Sequence, residues 1–184
     1  MVLGLLARSE VSNLRFSIPT LSIEPASYAR VATEIRGDHI TVQFDGSRGQ
    51  NVAHYRHKPR NILFLGFRSL GGSTDREALI IHECTHASMD IAGRAVLLSY
   101  SEAAAFTAQC LYYYHRNAAQ IDGGANPTFP SAVLREAWNV ASIIRGGRSS
   151  LNDSDLRGLM TALANDGRYR ADIAAGTSVD YDGV

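Results

Sequence analysis

The sequence predicts an α+β fold in which a small N-terminal mixed β-sheet packs on one long helix and a mostly helical C-terminal half follows. Two observations carry this. Runs rich in β-branched and aromatic residues fall within residues 39–67, and from residue 74 onwards apolar residues recur at helical spacing between glycine and proline breaks. With 184 residues, 45% of them hydrophobic, and a formal net charge of +0, the chain suits one domain spanning 1–184 with a full core. Seventeen of the 18 basic residues are arginine, but they are scattered, which argues against a nucleic-acid partner. Met1 to Arg8 lacks a basic start, and its apolar run is too short for a signal peptide or a membrane span. The expectation is a soluble chain with no membrane partner, either cytoplasmic or exported without a cleaved signal.

After an irregular start, Glu24 to Arg36 reads as a helix, with Pro25 suited to its first turn and Gly37 to its end. His39 to Phe44 alternates as a strand, Asp45 to Gly49 is a turn, Val52 to Arg56 is a second strand, and Asn61 to Phe67 is the most buried strand by composition. Thr74-Asp75-Arg76-Glu77 fits a capping box, with Thr74 as N-cap and Glu77 three residues on, and Gly93 is placed to stop the helix that follows. Gly93 to Tyr100 reads as a loop, after which a second long helix runs through Phe106, Gln109, Cys110 and Tyr113 towards Gln120. Pro127 and Pro130 punctuate a connection to an amphipathic helix over Ser131 to Arg145, which holds the only tryptophan, Trp138. A shorter helix covers Asp153 to Ala164. Asn152, Asp153 and Asp155 read as its caps, because their spacing lacks the pattern of a calcium loop. Gly176 to Val184 is polar and reads as a loose tail.

His82-Glu83-Cys84-Thr85-His86 has the pattern HExxH. On a helix, residues four apart lie one turn above each other, so His82 and His86 aim ring nitrogens at one metal ion. Glu83 sits about 100° round the helix, where its carboxylate reaches a water on that ion without ligating it. Zn²⁺ lowers the pKa of such a water towards about 7, and a nearby carboxylate can take the proton. The flanking sequence is apolar nearly all round, which buries the motif and obliges its histidines to find partners.

Catalytic zinc takes three protein ligands and keeps a position open. Glu102, sixteen residues after His86, begins a second helical pattern backed by alanines small enough to let the two helices approach closely. Two roles are open to it. It can complete the ligand set, or, since Ser99-Tyr100-Ser101-Glu102 fits a capping box, it can return a hydrogen bond to the backbone. Asp90 lies about 12 Å along the axis from His82, too far to share one ion easily. It suits either orientation of His86 through its other ring nitrogen or a charge in solvent near the helix end.

Through His82, Glu83, His86 and Glu102, residues 60–115 resemble the zincin metallopeptidases, specifically their gluzincin branch. The resemblance implies a zincin-like fold, zinc held by His82, His86 and Glu102, Glu83 as general base, and a peptide or protein substrate held in extended form along a sheet edge. Several gluzincin families carry an aspartate four residues after the ligand glutamate, where it supports a histidine. This chain has Phe106 there, with Asp90 as the available substitute. The expected activity is zinc-dependent hydrolysis of peptide bonds. The alternatives are a zincin-fold toxin or effector with one narrow target, an inactive relative that binds a partner, and a metal-free helical interaction domain.

Tyr112-Tyr113-Tyr114-His115 offers donors for an oxyanion, although aromatics on a helix also serve to cover a core, and the donor stays unassigned. His54 and His57 are three apart, so on a strand they point to opposite faces and make a poor metal pair. Cys84 and Cys110 read as buried free thiols, with Cys84 turned to the core.

Overall fold

The computed structural model describes residues 1–184, with the side chain of Arg48 left out. The start of the chain is not irregular. Short helices α1 (Val2–Leu6) and α2 (Ser9–Ser12) lead into an antiparallel pair, β1 (Phe16–Ile18) and β2 (Leu21–Ile23). Leu5, Val11, Leu14, Phe16 and Ile23 from this region are buried in the core. These elements are three to five residues long, too short to show a helical or strand period in the sequence.

Helix α3 (Pro25–Arg36) forms where expected, with Glu24 extended at its N-cap, Pro25 in the first turn and Gly37 at its end. The strands β3 (Thr41–Phe44), β4 (Ala53–Arg56) and β5 (Ile62–Leu65) make a mixed sheet in the order β3-β5-β4, with β5 parallel to β3 and antiparallel to β4. All of β5 is buried, as befits the central strand of an apolar run. Strand β4 is an edge and packs on helix α4 (Thr74–Ile91).

The cap of α4 lies one residue earlier than Thr74: the Ser73 hydroxyl accepts from the Arg76 N–H at 3.3 Å. Glu77 does not close a capping box. It is buried, where it pairs with Arg8 and accepts from the Tyr112 hydroxyl at 2.9 Å and from Arg116 Nε at 3.2 Å. Two guanidinium groups hold its carboxylate more strongly than one backbone N–H can. Gly93 ends the helix as expected, with φ +60 and its N–H on the Asp90 carbonyl at 2.8 Å.

The segment after Gly93 is not simply a loop. It holds strand β6 (Ala95–Leu97), and helix α5 (Leu98–Arg116) follows at once. Ala103, Ala104, Ala105 and Ala108 are fully buried, and α5 packs along α4 on this small-residue face. The long helix also stops short of Gln120. The Asn117 side chain donates to the Tyr113 carbonyl at 2.8 Å and so competes with helix continuation, and a separate α6 (Ala118–Asp122) follows. Helix α7 (Ala132–Arg145) and helix α8 (Asp153–Asn165) pack on α5 and on each other. Asn152 and Asp155 form the capping box of α8, which supports their reading as caps.

The C-terminal segment is not a loose tail. After α9 (Arg170–Ala174), strand β7 (Ser178–Asp180) pairs antiparallel with β6, and Tyr181 is buried at 6% exposure. Its polar composition concealed the pairing, because the partner strand lies across most of the C-terminal half in sequence. Among the described residues no helix is long and apolar enough to cross a membrane.

Candidate metal centre

Close packing of α4 against α5 brings three donors together. His82 Nε2 and His86 Nε2 are 3.2 Å apart, Glu102 Oε2 is 3.6 Å from His82 Nε2, and Glu102 Oε1 is 3.5 Å from His86 Nε2. One donor atom from each residue lies within 4.8 Å of the others; His82 and Glu102 are buried and His86 is nearly so. Glu102 is not a helix cap: α5 begins at Leu98 with Leu97 in the cap position and no side-chain cap bond. That places Glu102 in the second turn, facing the imidazoles.

Burial sets the charge state of these groups. Desolvation lowers the pKa of His86 to about 4, helped by His57, and takes His82 well below its usual value, helped by the facing His86. Both rings are therefore neutral near pH 7, the form that donates to a metal. Desolvation raises Glu102 to about 7, while a hydrogen bond from Tyr169 and the charge of Arg168 oppose the rise. Glu102 Oε2 is buried without a hydrogen-bond partner among the described residues. Two neutral imidazoles and a carboxylate with an unused oxygen converge here, so this group can hold a metal ion.

Glu83 lies beside the group and is fixed from the sheet. Its Oε2 accepts from the Tyr55 N–H of β4 at 2.8 Å, while Oε1 is 4.0 Å from His82 Nε2. Desolvation raises its pKa to about 8, with Glu102 adding to the rise and the Tyr55 N–H opposing it. A carboxyl held in this state exchanges protons close to neutral pH.

Asp90 does not orient His86. It is buried and accepts from the Tyr55 hydroxyl at 2.6 Å, and the Asn61 amide, oriented to satisfy both partners, donates to it at 3.1 Å and to the His57 carbonyl at 2.7 Å. Tyr55 thus bridges Glu83 and Asp90, two turns apart on α4, and fastens the edge strand along the motif helix. The ring nitrogen of His86 that faces away from the donors instead meets the Ser101 hydroxyl at 3.0 Å and the Tyr181 hydroxyl at 3.1 Å.

Phe106, four residues after Glu102, lies against His82. Its ring packs edge-on to His82 with centroids 4.4 Å apart, and His82 Nδ1 makes no close hydrogen bond among the described residues, with only a weak interaction from the Gln109 side chain. The tyrosine cluster scatters: Tyr112 turns away to Arg8 and Glu77, and Tyr114 lies under the Arg145 guanidinium at 3.4 Å and bonds Asp122, while Tyr113 lines the cleft. Cys84 and Cys110 are buried and free, as expected.

These groups face a cleft of about 1250 Å³ bounded by β4 on one side and by Tyr113, Phe129 and Leu134 on another. Arg168, Tyr169 and Tyr181 also line it, and none was singled out from sequence. Each reaches the centre from the last part of the chain, and nothing local in the sequence marks it. Searches of protein-family models, curated proteins and solved structures found no match to this chain.

Proposed function

We propose that the chain is a zinc-dependent peptidase of zincin type. The observation that carries the reading is the convergence of His82, His86 and Glu102 with Glu83 beside them, on a cleft walled by an edge strand. Donors about 2.0–2.1 Å from one ion at tetrahedral angles stand about 3.4 Å apart. The imidazole nitrogens, 3.2 Å apart, match this spacing, and each oxygen of Glu102 stands at a similar distance from one of them, Oε1 at 3.5 Å from His86 and Oε2 at 3.6 Å from His82. Zinc held by these residues would supply Lewis acidity, which lowers the pKa of a bound water towards about 7 and polarises a carbonyl.

The protein's own groups supply the remainder. Glu83, held by the Tyr55 N–H, accepts the proton of the attacking water through the oxygen that faces the donors and returns it to the departing amine. A cation held by the three donors would favour the charged form of Glu83 and so oppose the rise that burial causes. Strand β4 is an edge whose Tyr55 N–H is taken by Glu83, and its remaining outward main-chain groups would suit an extended peptide, a substrate class defined by its backbone.

A narrower reading, an effector with one protein target, draws support from the C-terminal segment. Tyr181 packs its ring on His57 with centroids 5.4 Å apart, and Asp182 meets Lys58 at 3.7 Å, so the segment bounds the cleft next to His86. Both readings share one test of mechanism. Incubation of the zinc-loaded protein with a diverse peptide library, read by mass spectrometry, is expected to give cleavage that falls about 10²–10⁴-fold in Glu83→Gln while zinc is retained. Undiminished cleavage by that variant contradicts the mechanism. A wild type that holds zinc but leaves the library uncut favours the narrow-target effector.

A further inference from the structure

We propose that the C-terminal segment Ser178–Tyr181 is part of the metal centre: Tyr181 is a positioning residue for His86, and docking of the segment is linked to metal binding. This rests on the reading of His82, His86 and Glu102 as metal donors, and it adds a residue and a coupling to that reading.

Strand β6 joins α4 to α5, the two helices that carry the donors, and β7 pairs with it through Ala95 and Asp180, Val96 and Val179, and Leu97 and Ser178. The Leu98 N–H donates to the Thr177 carbonyl at 2.9 Å, so the first residue of α5 is tied to the same segment. This register delivers Tyr181 to the side of His86 that faces away from the cleft donors. Its hydroxyl is 3.1 Å from His86 Nδ1 and 2.9 Å from Ser101 Oγ, and Ser101 Oγ is itself 3.0 Å from His86 Nδ1.

The proton accounting closes on one arrangement when a metal is present. An imidazole that ligates through Nε2 carries its proton on Nδ1, and that N–H needs an acceptor. The two hydroxyl oxygens provide it. The Tyr181 O–H then donates to Ser101 Oγ, and the Ser101 O–H donates to Met89 Sδ at 3.5 Å. Every donor in the chain His86, Tyr181, Ser101, Met89 has an acceptor, and the His86 ring is held with Nε2 towards Glu102. Ser101 immediately precedes the ligand Glu102, so one turn of α5 serves both the ion and the ring that binds it. Removal of the Tyr181 hydroxyl leaves a buried ring with a single weakened acceptor.

Coupling between two binding events is reciprocal. If a docked Tyr181 raises metal affinity, then bound metal stabilises the docked segment by the same factor. A tyrosine that only fills space predicts neither effect.

The test uses the full chain and Zn²⁺ alone. Zinc affinity is measured by chelator competition for wild type and Tyr181→Phe, together with the melting temperature of each metal-free protein. The variant is expected to bind zinc about tenfold or more weakly, while its metal-free melting temperature stays within about 3 °C of wild type. Hydrogen exchange at residues 178–181 is expected to slow on zinc addition in wild type, and to slow less in Tyr181→Phe. A wild type that takes up zinc, with a variant of equal affinity or a segment whose exchange ignores zinc, overturns this proposal and leaves the metal centre standing. A wild type that takes up no zinc overturns both.

Discussion

The two imidazoles of the motif helix are held in different ways. His86 is held by polar contacts, with the Ser101 and Tyr181 hydroxyls on its outer nitrogen, whereas His82 is held chiefly by shape, with the Phe106 ring against it, no close hydrogen bond to Nδ1 among the described residues, and only a weak polar interaction with the Gln109 side chain. The same helix and the same ligand chemistry thus receive directional support on one side and packing on the other. Hydrogen bonds fix a ring's rotation and tautomer, while packing restricts rotation and leaves the tautomer to the ligand. The His86 side is accordingly sensitive to loss of single atoms, and the His82 side to loss of volume.

Three measurements can break or sharpen that contrast. The largest effect is expected on the packed side. Phe106→Ala removes a buried ring beside His82 and α9's neighbour Tyr169, at a cost of about 3–5 kcal/mol in the stability of the metal-free protein, read by denaturant unfolding. A cost below about 1 kcal/mol shows that the ring does not hold this side.

The next concerns protons, which compete with the metal on both sides. His86 falls from 6.5 to about 4, so the unfolded chain binds more protons than the folded one between those values, and this contribution to stability is lost as pH falls through that window. Glu102 and Glu83 rise from 4.5 to about 7 and about 8, so the folded metal-free chain binds more protons there, and stability declines as pH rises from 4.5 towards 8. Zinc must displace the Glu102 proton but meets rings already neutral. Its affinity is therefore expected to rise about tenfold per pH unit from about 5 to 7 and then to level off. A profile that rises only below pH 5 assigns the competition to the histidines instead.

The smallest effect tests whether a carboxylate contributes to the His86 side. Asp90→Asn weakens the bond from Tyr55 and is expected to cost about 1–3 kcal/mol in stability, with zinc affinity changed less than about threefold. A tenfold loss of affinity at unchanged stability restores Asp90 as the group that orients His86.

The contrast also explains what the sequence disclosed. Local patterns were legible: the apolar run of β5, the α4 and α5 helices and the i, i+4 histidines all follow from spacing within one element, whereas the edge position of β4 comes from pairing between strands and was not. Even there the cap moved from Thr74 to Ser73, because adjacent hydroxyl residues compete for one role, and Glu77 was claimed by Arg8 and Arg116 from other helices. Glu102 was found because an acid at the start of a helix with alanines behind it has few purposes in a core. Tyr181 was not found, because its reason for being there is a strand pairing with β6 and a nitrogen 95 residues away. Tyr55 escaped for a similar reason: a backbone N–H has no sequence signature, yet it holds Glu83.

X-ray absorption and anomalous scattering at the zinc edge, on protein purified without an affinity tag, bear most directly on the central claim. The account predicts about one zinc per chain, bound by His82 Nε2, His86 Nε2 and a Glu102 oxygen at about 2.0–2.2 Å. Protein without zinc after exposure to the metal, or zinc bound away from Glu102, contradicts it.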